Sequence, residues 1–482
     1  MTPSLILITL LAYGGSLLLI GRLATRRSDN RHFFTAGRKA AWYRIWPAMI
    51  SAAMSGITFV SVPGSVAADG FTYLQMVAGF TVGQLLIAFW LVPLFYRLQL
   101  TSIYEYFDRR FGTATHRTCG WLFLLSKLAS ASLKLAIVCI VLQQLLFAPL
   151  GLPFWLNTLC CVALVWGYTR RGGVGALIPA DWLKTGCMIA ALGGTIWAIV
   201  AAMGESIETL WQAGIASPMT QIWCFDPASD RFFWRLFPAG IVLLLAMTGL
   251  DQELMQRNLA CRSAGDAQKN ILLTAVSQAV VIFAFLVLGW LLYHYAAFCN
   301  LPQPEKADQL FAAVAVAGGL PVWVGVLFIV GFAAGSLSAG GAALTALTTS
   351  AMVDLRLQKG DDEVQSIALR HRVHLLLALT LAGLVLLFGY GADESVINLI
   401  YRVAGYTYGP ILGLFLFGQW TRWQIDEKRI VPIVFLAPLL SAIIQYVAII
   451  HFNHHIGFEL LLLNTLLTMI GLWLIRRRGA TV

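Results

Sequence analysis

Charged side chains inside strongly apolar segments are the residues of this sequence that can do chemistry. Asp181 lies about five residues into an apolar stretch, and Lys184 follows it three residues later. This spacing places both side chains on one face of a helix. An ionised group in an apolar interior is costly unless it has a partner, so we interpret Asp181 as a residue that handles a cation. A structural acid anchored at an interface is the alternative.

Three basic residues in other apolar stretches favour an anionic ligand. Lys127 and Lys134 are seven residues apart, on about one face of a helix, and Arg402 lies roughly two turns into a later stretch. Acidic residues inside these stretches are scarce apart from Asp181, so part of the positive charge is available to a carboxylate. Snorkelling of the lysines to an interface is the alternative.

The elements that must position these residues are membrane helices. Of the 482 residues, 59% are hydrophobic and 12% charged, whereas soluble domains carry roughly 25% charged residues. Many apolar stretches exceed the ~20 residues that cross a bilayer as a helix. We predict an all-α integral membrane protein with about thirteen spans. The predicted spans are residues 4–21, 43–68, 72–98, 118–148, 153–168, 177–203, 236–256, 267–298, 322–352, 369–390, 396–420, 431–450 and 458–475.

The basic residues concentrate in alternate loops, such as 22–44, 97–117 and 257–269. This positive-inside distribution predicts an external N-terminus and a cytoplasmic C-terminus. It also accounts for the net charge of +10, so nucleic-acid binding is not expected. Basic residues follow the first span and do not precede it, so that span is not expected to be a cleaved signal peptide.

Helix breakers interrupt the second and seventh predicted spans. Span 2 contains Ser55–Gly56 and Pro63–Gly64, and span 7 contains Thr248–Gly249 before Asp251. Broken helices that begin two equivalent halves indicate an inverted-repeat transporter, although packing kinks also produce such pairs. We predict an N-terminal helix with a basic loop (1–42), a first five-helix repeat (43–203), an external loop (204–235), a second five-helix repeat (236–420) and two peripheral helices (421–482).

Five segments in collinear order resemble the sodium:solute symporter family. They are HFFTAGRKAAWY (32–43), SGITFVSVPG (55–64), LTSIYEYFDRRFG (100–112), TGLDQELMQR (248–257) and AGYTYGPILGLFLFG (404–418). ALTALTTS (343–350) resembles a bacterial branch of that family, which implies the inner membrane of a bacterial cell. The resemblance implies a leucine-transporter-like fold of 5+5 inverted repeats and transport by alternating access.

The resemblance also implies a sodium site between spans 2 and 9, supported by Asp181. The implied carbonyl ligands are those of Ser51, Met54 and Gly335, and the implied side-chain hydroxyl positions are Ser338 and Ala339. Ala339 departs from the family pattern, because a methyl group cannot coordinate a cation. A second sodium site is not expected, since Gly341 and Ala342 occupy the positions of its hydroxyl ligands.

Lys184 stands where the family usually has glutamine, which opens a second coupling mechanism. A buried ammonium can occupy the place of a bound cation. An Asp181–Lys184 pair beside a sodium site that lacks a ligand would then couple transport to protons. A plain salt bridge is the structural alternative, and a weakened sodium site is the first interpretation.

By resemblance, the solute lies between the two broken spans. Ser55, Thr58 and Tyr73 match solute-lining positions, and Gln75 is close by. Their hydroxyls and amide suit a sugar or amino acid, although helix packing also uses such groups. Together with the three basic residues, they favour a carboxylate-bearing sugar acid such as sialic acid.

The polar residues after the break in span 7 are interpreted as structural. Asp251, Gln252, Gln256 and Arg257 would form a polar cap that holds the cytoplasmic end of this span to an intracellular gate.

No nucleophile–base pair or metal constellation indicates an enzyme, and sodium (or a proton) is the only cofactor-like species expected. The expected partners are a small-molecule substrate and the lipid bilayer, with a monomer as the functional unit. A solute sensor that does not transport is the alternative from another class. A disulfide between Cys224 and Cys299 is permitted, because both fall in external segments.

Overall fold

The structure is a computed structural model that describes residues 2–24, 29–302, 304, 306–357, 363–391, 396–452, 456–457 and 459–481. The first helices are α1 (Pro3–Ala24), α2 (Asn30–Thr35), α3 (Trp42–Ala53), α4 (Gly56–Gly64), α5 (Val66–Asp69), α6 (Tyr73–Leu86), α7 (Val92–Arg97), α8 (Glu105–Arg110), α9 (Thr113–Leu142), α10 (Phe154–Thr169) and α11 (Val174–Met203). They are followed by α12 (Ile207–Ala216), α13 (Phe233–Leu244), α14 (Gln252–Asn258), α15 (Ala264–Phe298), α16 (Leu310–Ala317), α17 (Val322–Val353), α18 (Glu363–Gly391), α19 (Val396–Trp420), α20 (Glu427–Phe452) and α21 (Glu459–Leu474). Three π-helical turns occupy Ile87–Leu91, Gln143–Phe147 and Leu245–Gly249. One antiparallel pair of short strands joins β1 (Trp423–Ile425) to β2 (Arg476–Thr481).

The all-α prediction is confirmed. Within the described residues, eight helices are long and apolar enough to cross a membrane, or ten if each of two bent pairs is one span. Each of the thirteen predicted spans coincides with a helix or a bent pair, and the helices α10 and α21 are shorter than the rest. The number of crossings, the division into repeats and the orientation of the termini stay predictions.

Span 2 is broken at Met54–Ser55. The segments Trp42–Ala53 and Thr58–Gly64 meet at 56°. The break forms here because Met54 adopts an extended backbone, after which the Ser55 hydroxyl accepts a hydrogen bond from the backbone N–H of Thr58. That bond satisfies a donor that no preceding turn can reach. Pro63 lies inside α4 and not at the break.

Span 7 is broken at Leu250–Asp251. The segments Phe233–Gly249 and Gln252–Asn258 meet at 70°. A π-helical turn precedes the break, and the Asp251 carboxylate caps the start of α14 by accepting hydrogen bonds from the N–H groups of Glu253 and Leu254. Both predicted interruptions are therefore present.

Glycines allow α4 to touch α17 directly. A Cβ atom on Gly56 would lie 1.8 Å from the Ser336 hydroxyl oxygen and 3.2 Å from the Phe332 carbonyl oxygen. A Cβ atom on Gly335 would in turn lie 2.8 Å from the Gly56 nitrogen. Small residues at such a crossing let two membrane helices approach until their backbones meet.

We expect Gly56→Ala to lower the thermal stability of the purified protein. Overpacking of this kind costs about 1–3 kcal/mol. The control is Gly193→Ala in α11, where an added Cβ atom meets no heavy atom within 4 Å. Melting curves should separate the two variants, and equal melting temperatures would show that the contact is not tight.

Cys224 and Cys299 are free thiols, so the permitted disulfide is not formed. The two cysteines belong to separately anchored elements. Cys224 is fixed through its backbone to Gln75 and Phe233, whereas Cys299 follows the last turn of α15.

Candidate functional site

Asp181 lies at the centre of a buried polar cluster between the broken span 2 and α17. One carboxylate oxygen accepts hydrogen bonds from the hydroxyls of Ser51 (3.1 Å) and Ser338 (2.6 Å). The other accepts from Nε of Arg257 at 2.8 Å. All four side chains are almost completely buried. The structure therefore joins Asp181 to two of the residues that were predicted to bind sodium.

Lys184 is buried one turn away and reaches the same cluster. Its Nζ atom donates a hydrogen bond to the Ser51 carbonyl oxygen at 2.6 Å. That oxygen is one of the predicted sodium ligands, and it lies at the end of α3, where it also accepts from the Met54 N–H. An ammonium group thus occupies one coordination position of the predicted cation site.

The other predicted sodium ligands differ in what they can offer a cation. Met54 forms the break itself, and Gly335 packs against the start of α4. Ala339, one residue after Ser338, contributes only a methyl group. At Gly341 a Cβ atom would lie 1.7 Å from the Tyr168 hydroxyl oxygen, so that position is filled by an aromatic side chain. The expectation that no second sodium site forms around Gly341 stays a prediction.

A second charged cluster begins at Arg257 and leads towards α9. The Arg257 guanidinium donates to the Glu253 backbone carbonyl and lies 3.9 Å from the Glu253 carboxylate. Lys127 contacts Glu253 at 2.9 Å and Asp251 at 2.6 Å. The Asp251 carboxylate also accepts a short hydrogen bond from the Tyr408 hydroxyl. Charged side chains thus connect Asp181 on α11 with α14 and α9, and the Tyr408 hydroxyl extends the cluster to α19.

This arrangement differs from the prediction in two respects. Asp251 was interpreted as a cap at the end of span 7, but it caps the start of α14 at the break. Lys127 was expected to be available to an anionic solute, but two carboxylates surround it. Glu253 and Tyr408 were not among the residues predicted from the sequence. The position of Glu253 inside a span was the signal that could have identified it.

Lys134 has a different environment from Lys127. It is half-buried and has no hydrogen-bond or ion-pair partner among the described residues. It lies two turns beyond Lys127 on the same face of α9, within electrostatic reach of Glu253 and Lys184. The side chain of Arg402, the third predicted basic residue, lies outside the described residues.

The predicted solute-lining polar groups are partly engaged. Ser55 and Thr58 bond to each other in the cap of α4. Tyr73 is half-buried beside Phe80. Gln75 is fully buried and binds the loop between α12 and α13, because its amide donates to the Arg231 carbonyl oxygen and accepts from the Cys224 N–H.

The glutamines of α14 connect the segments that carry the family resemblance. Gln252 donates to the Thr101 carbonyl oxygen and accepts from the Ile103 N–H. Gln256 donates to the Phe34 carbonyl oxygen and the Thr349 hydroxyl. The structural role at an intracellular gate stays a prediction for both residues.

Comparisons with known proteins agree with this architecture. The model of the sodium:solute symporter family matches residues 33–424. The human sodium/iodide cotransporter is 26% identical over 426 residues, which cover 85% of this chain and 64% of that protein. The chain therefore spans a little under two thirds of that relative's length. The sodium/sialic acid symporter NanT of Aliivibrio fischeri is 25% identical over 449 residues, which cover 89% of this chain and 85% of NanT.

A solved structure shows the fold. A Na⁺-coupled sialic acid symporter, in a substrate-bound outward-open state, superimposes with a TM-score of 0.82 at 17% identity. The superposition covers 98% of this chain and 97% of that one.

Proposed function

This chain belongs to the sodium:solute symporter family, and we propose that it imports a small polar solute through the inner membrane of a bacterial cell by cation-coupled alternating access. The observation that carries the proposal is the cluster at the break in span 2. There a buried carboxylate, two serine hydroxyls and the Ser51 carbonyl at the end of α3 meet between α3, α11 and α17. Such a site at a discontinuous helix suits a coupling cation.

Sodium is the first candidate for the coupling cation. The Ser51 carbonyl, the Ser338 hydroxyl and the Asp181 carboxylate are hard oxygen ligands. The names of both relatives described above include sodium as the coupled ion. Sodium binding requires the Lys184 ammonium to leave the Ser51 carbonyl. The ion would then lie beside the Asp181 carboxylate. The hydrogen bond from the Ser338 hydroxyl to this carboxylate would weaken as the carboxylate turns towards the ion.

A proton is the second candidate, and one specific contact favours it. The Lys184 ammonium already occupies the Ser51 carbonyl at 2.6 Å, and Ala339 leaves the site without one hydroxyl ligand. A lysine that loses and regains its proton during the cycle would supply and remove a cation at this position without any bound metal ion. Deprotonation would release span 2 from α11.

Uptake into proteoliposomes under imposed gradients tests the function. Radiolabelled solutes from a panel of sugars, sugar acids and amino acids should accumulate when either a sodium or a proton gradient is imposed. Accumulation with a sodium gradient alone would select the first candidate, and accumulation with a pH gradient alone would select the second. A solute that binds but never accumulates under either gradient would identify a sensor and contradict transport.

The solute is proposed to carry a carboxylate. Lys127 and Arg257 are each paired with acids, whereas Lys134 is half-buried without such a partner. A cation in a membrane interior is stable only beside water, carbonyls or an anion. A carboxylate-bearing sugar acid such as sialic acid would supply that anion, while Ser55, Thr58 and Tyr73 would contact its hydroxyl groups.

Lys134→Met is expected to weaken binding of an anionic solute by about tenfold or more, because a hydrogen bond to a charged group contributes about 1.5–3 kcal/mol. Binding of N-acetylneuraminate and of a neutral sugar to the purified protein would be compared by calorimetry. Lys134→Arg should retain most of the affinity. Equal affinities in Lys134→Met and the unaltered protein would eliminate Lys134 as the anion-binding residue.

A further inference from the structure

A basic cavity lies between α1 and α10, outside the cluster around Asp181. Its volume is about 240 Å³, and its lining includes Arg22 on α1 together with Arg170 and Arg171 at the end of α10. No acidic side chain from the part of the chain that the structure describes lines it. The three arginines have no carboxylate partner among the described residues. Three positive charges therefore converge on one small space without neutralisation.

An aromatic side chain completes the cavity. The Arg170 guanidinium lies 4.8 Å above the ring centre of Trp166, which holds the planar donor group in place. The indole N–H of Trp166 is buried and has no hydrogen-bond acceptor among the described residues. A buried donor of this kind is normally satisfied. A residue of the cavity wall therefore carries an unsatisfied buried donor, beside the positive charge of the arginines.

The position of the cavity indicates where its ligand comes from. Arg22 lies in the last turn of α1, and Arg170 and Arg171 directly follow α10, at helix ends that the charge distribution predicts to face the cytoplasm. Arg22 and Arg171 are exposed, and Leu18 of α1 forms part of the wall. The cavity therefore lies where an apolar helix surface gives way to a basic one, which is the level of lipid headgroups.

We propose that this cavity binds the phosphate group of an anionic phospholipid. Guanidinium groups match phosphate oxygens in pairs, and basic pockets between membrane helices on the cytoplasmic side bind such headgroups. The bound lipid would attach α1 to α10, which are already in close contact. A Cβ atom on Gly21 would lie 2.7 Å from the Tyr168 carbonyl oxygen.

Native mass spectrometry of the purified full-length chain tests this proposal. The protein would be titrated with phosphatidylglycerol, cardiolipin or phosphatidylcholine, and in a separate arm with glycerol 3-phosphate. We expect saturable retention of the anionic lipids, at least about tenfold weaker in the Arg22→Gln/Arg170→Gln/Arg171→Gln variant. Binding of glycerol 3-phosphate with the same dependence on the arginines would identify a free phosphate compound as the ligand.

The matched control removes three basic residues from the same predicted side of the membrane. Arg97, Arg117 and Lys269 are exposed and lie outside the cavity, so their replacement by glutamine should leave lipid retention unchanged. The single variant Arg22→Gln should show part of the loss if the triple variant is unstable. Equal retention in the cavity and control variants, or equal binding of phosphatidylcholine, would overturn the proposal.

Discussion

Replacement of Asp181 by alanine is expected to abolish solute uptake and to destabilise the protein. The substitution removes the acceptor for Ser51 and Ser338 and leaves Arg257 buried without its partner. Breaking a buried ion pair from one side costs about 3–5 kcal/mol of folding stability. Uptake falls for a separate reason: the cation loses a charged ligand, and about 3 kcal/mol of lost cation binding corresponds to about 100-fold in a binding constant. We therefore expect uptake in proteoliposomes to fall by about 100-fold or more.

A double variant separates the coupling role from the structural one. Asp181→Ala/Arg257→Met removes both charges of the buried pair, so thermal stability should return most of the way. Uptake should remain absent, because the carboxylate that faces the cation is still missing. Asp308→Ala, which alters an exposed acid, serves as the control. Recovery of uptake in the double variant would show that Asp181 only neutralises Arg257.

Replacement of Lys184 by glutamine is expected to raise the affinity of the protein for sodium by at least about tenfold. The Lys184 ammonium donates a hydrogen bond to the Ser51 carbonyl oxygen. A sodium ion bound to the same oxygen would be repelled by the positive charge of this ammonium. Two unit charges about 4 Å apart interact by about 4 kcal/mol at an effective dielectric constant of about 20. Even a partly screened repulsion therefore exceeds the 1.4 kcal/mol of a tenfold change.

Sodium titration of the purified protein by calorimetry measures this change, with Lys184→Arg as the variant that keeps the charge. Uptake then distinguishes the two coupling cations. If protons drive the unaltered protein, Lys184→Gln should lose uptake that is driven by a pH gradient. If sodium drives it, uptake by Lys184→Gln should saturate at lower sodium concentrations. Unchanged sodium affinity would mean that Lys184 lies outside the ion site.

Local sequence signals predicted the parts of the fold that depend on local chemistry. Span 2 breaks at Ser55 because this serine caps the helix that follows it. Span 7 breaks at Asp251 because this aspartate caps α14 in the same way. Asp181 stood out because a lone carboxylate in an apolar span requires partners. Its contacts with Ser51 and Ser338 were anticipated only through the family resemblance, because helical periodicity does not reveal which spans touch.

The contacts that the sequence did not predict depend on how the chain bends. A straight span 7 would place Asp251 and Glu253 near one end, since a helix rises 1.5 Å per residue. The 70° bend instead brings both carboxylates to Lys127 on α9. Gln75 was predicted to lie near the solute because its tertiary contacts are likewise invisible in the local sequence. Its bonds to the loop around Cys224 and Arg231 arise from tertiary packing alone.

The paired charges of the core have an electrical consequence. Asp181, Asp251 and Glu253 face Lys127, Lys184 and Arg257, so three acids balance three bases. Lys134 adds a single positive charge. If the solute is a monovalent anion that binds at Lys134, as proposed above, and one monovalent cation travels with it, the charges of the two cancel and the cargo carries no net charge across the membrane. The membrane potential, which acts with about 2.3 kcal/mol per elementary charge at 100 mV, would do no work on this cargo, and only the two concentration gradients would determine how far the solute accumulates.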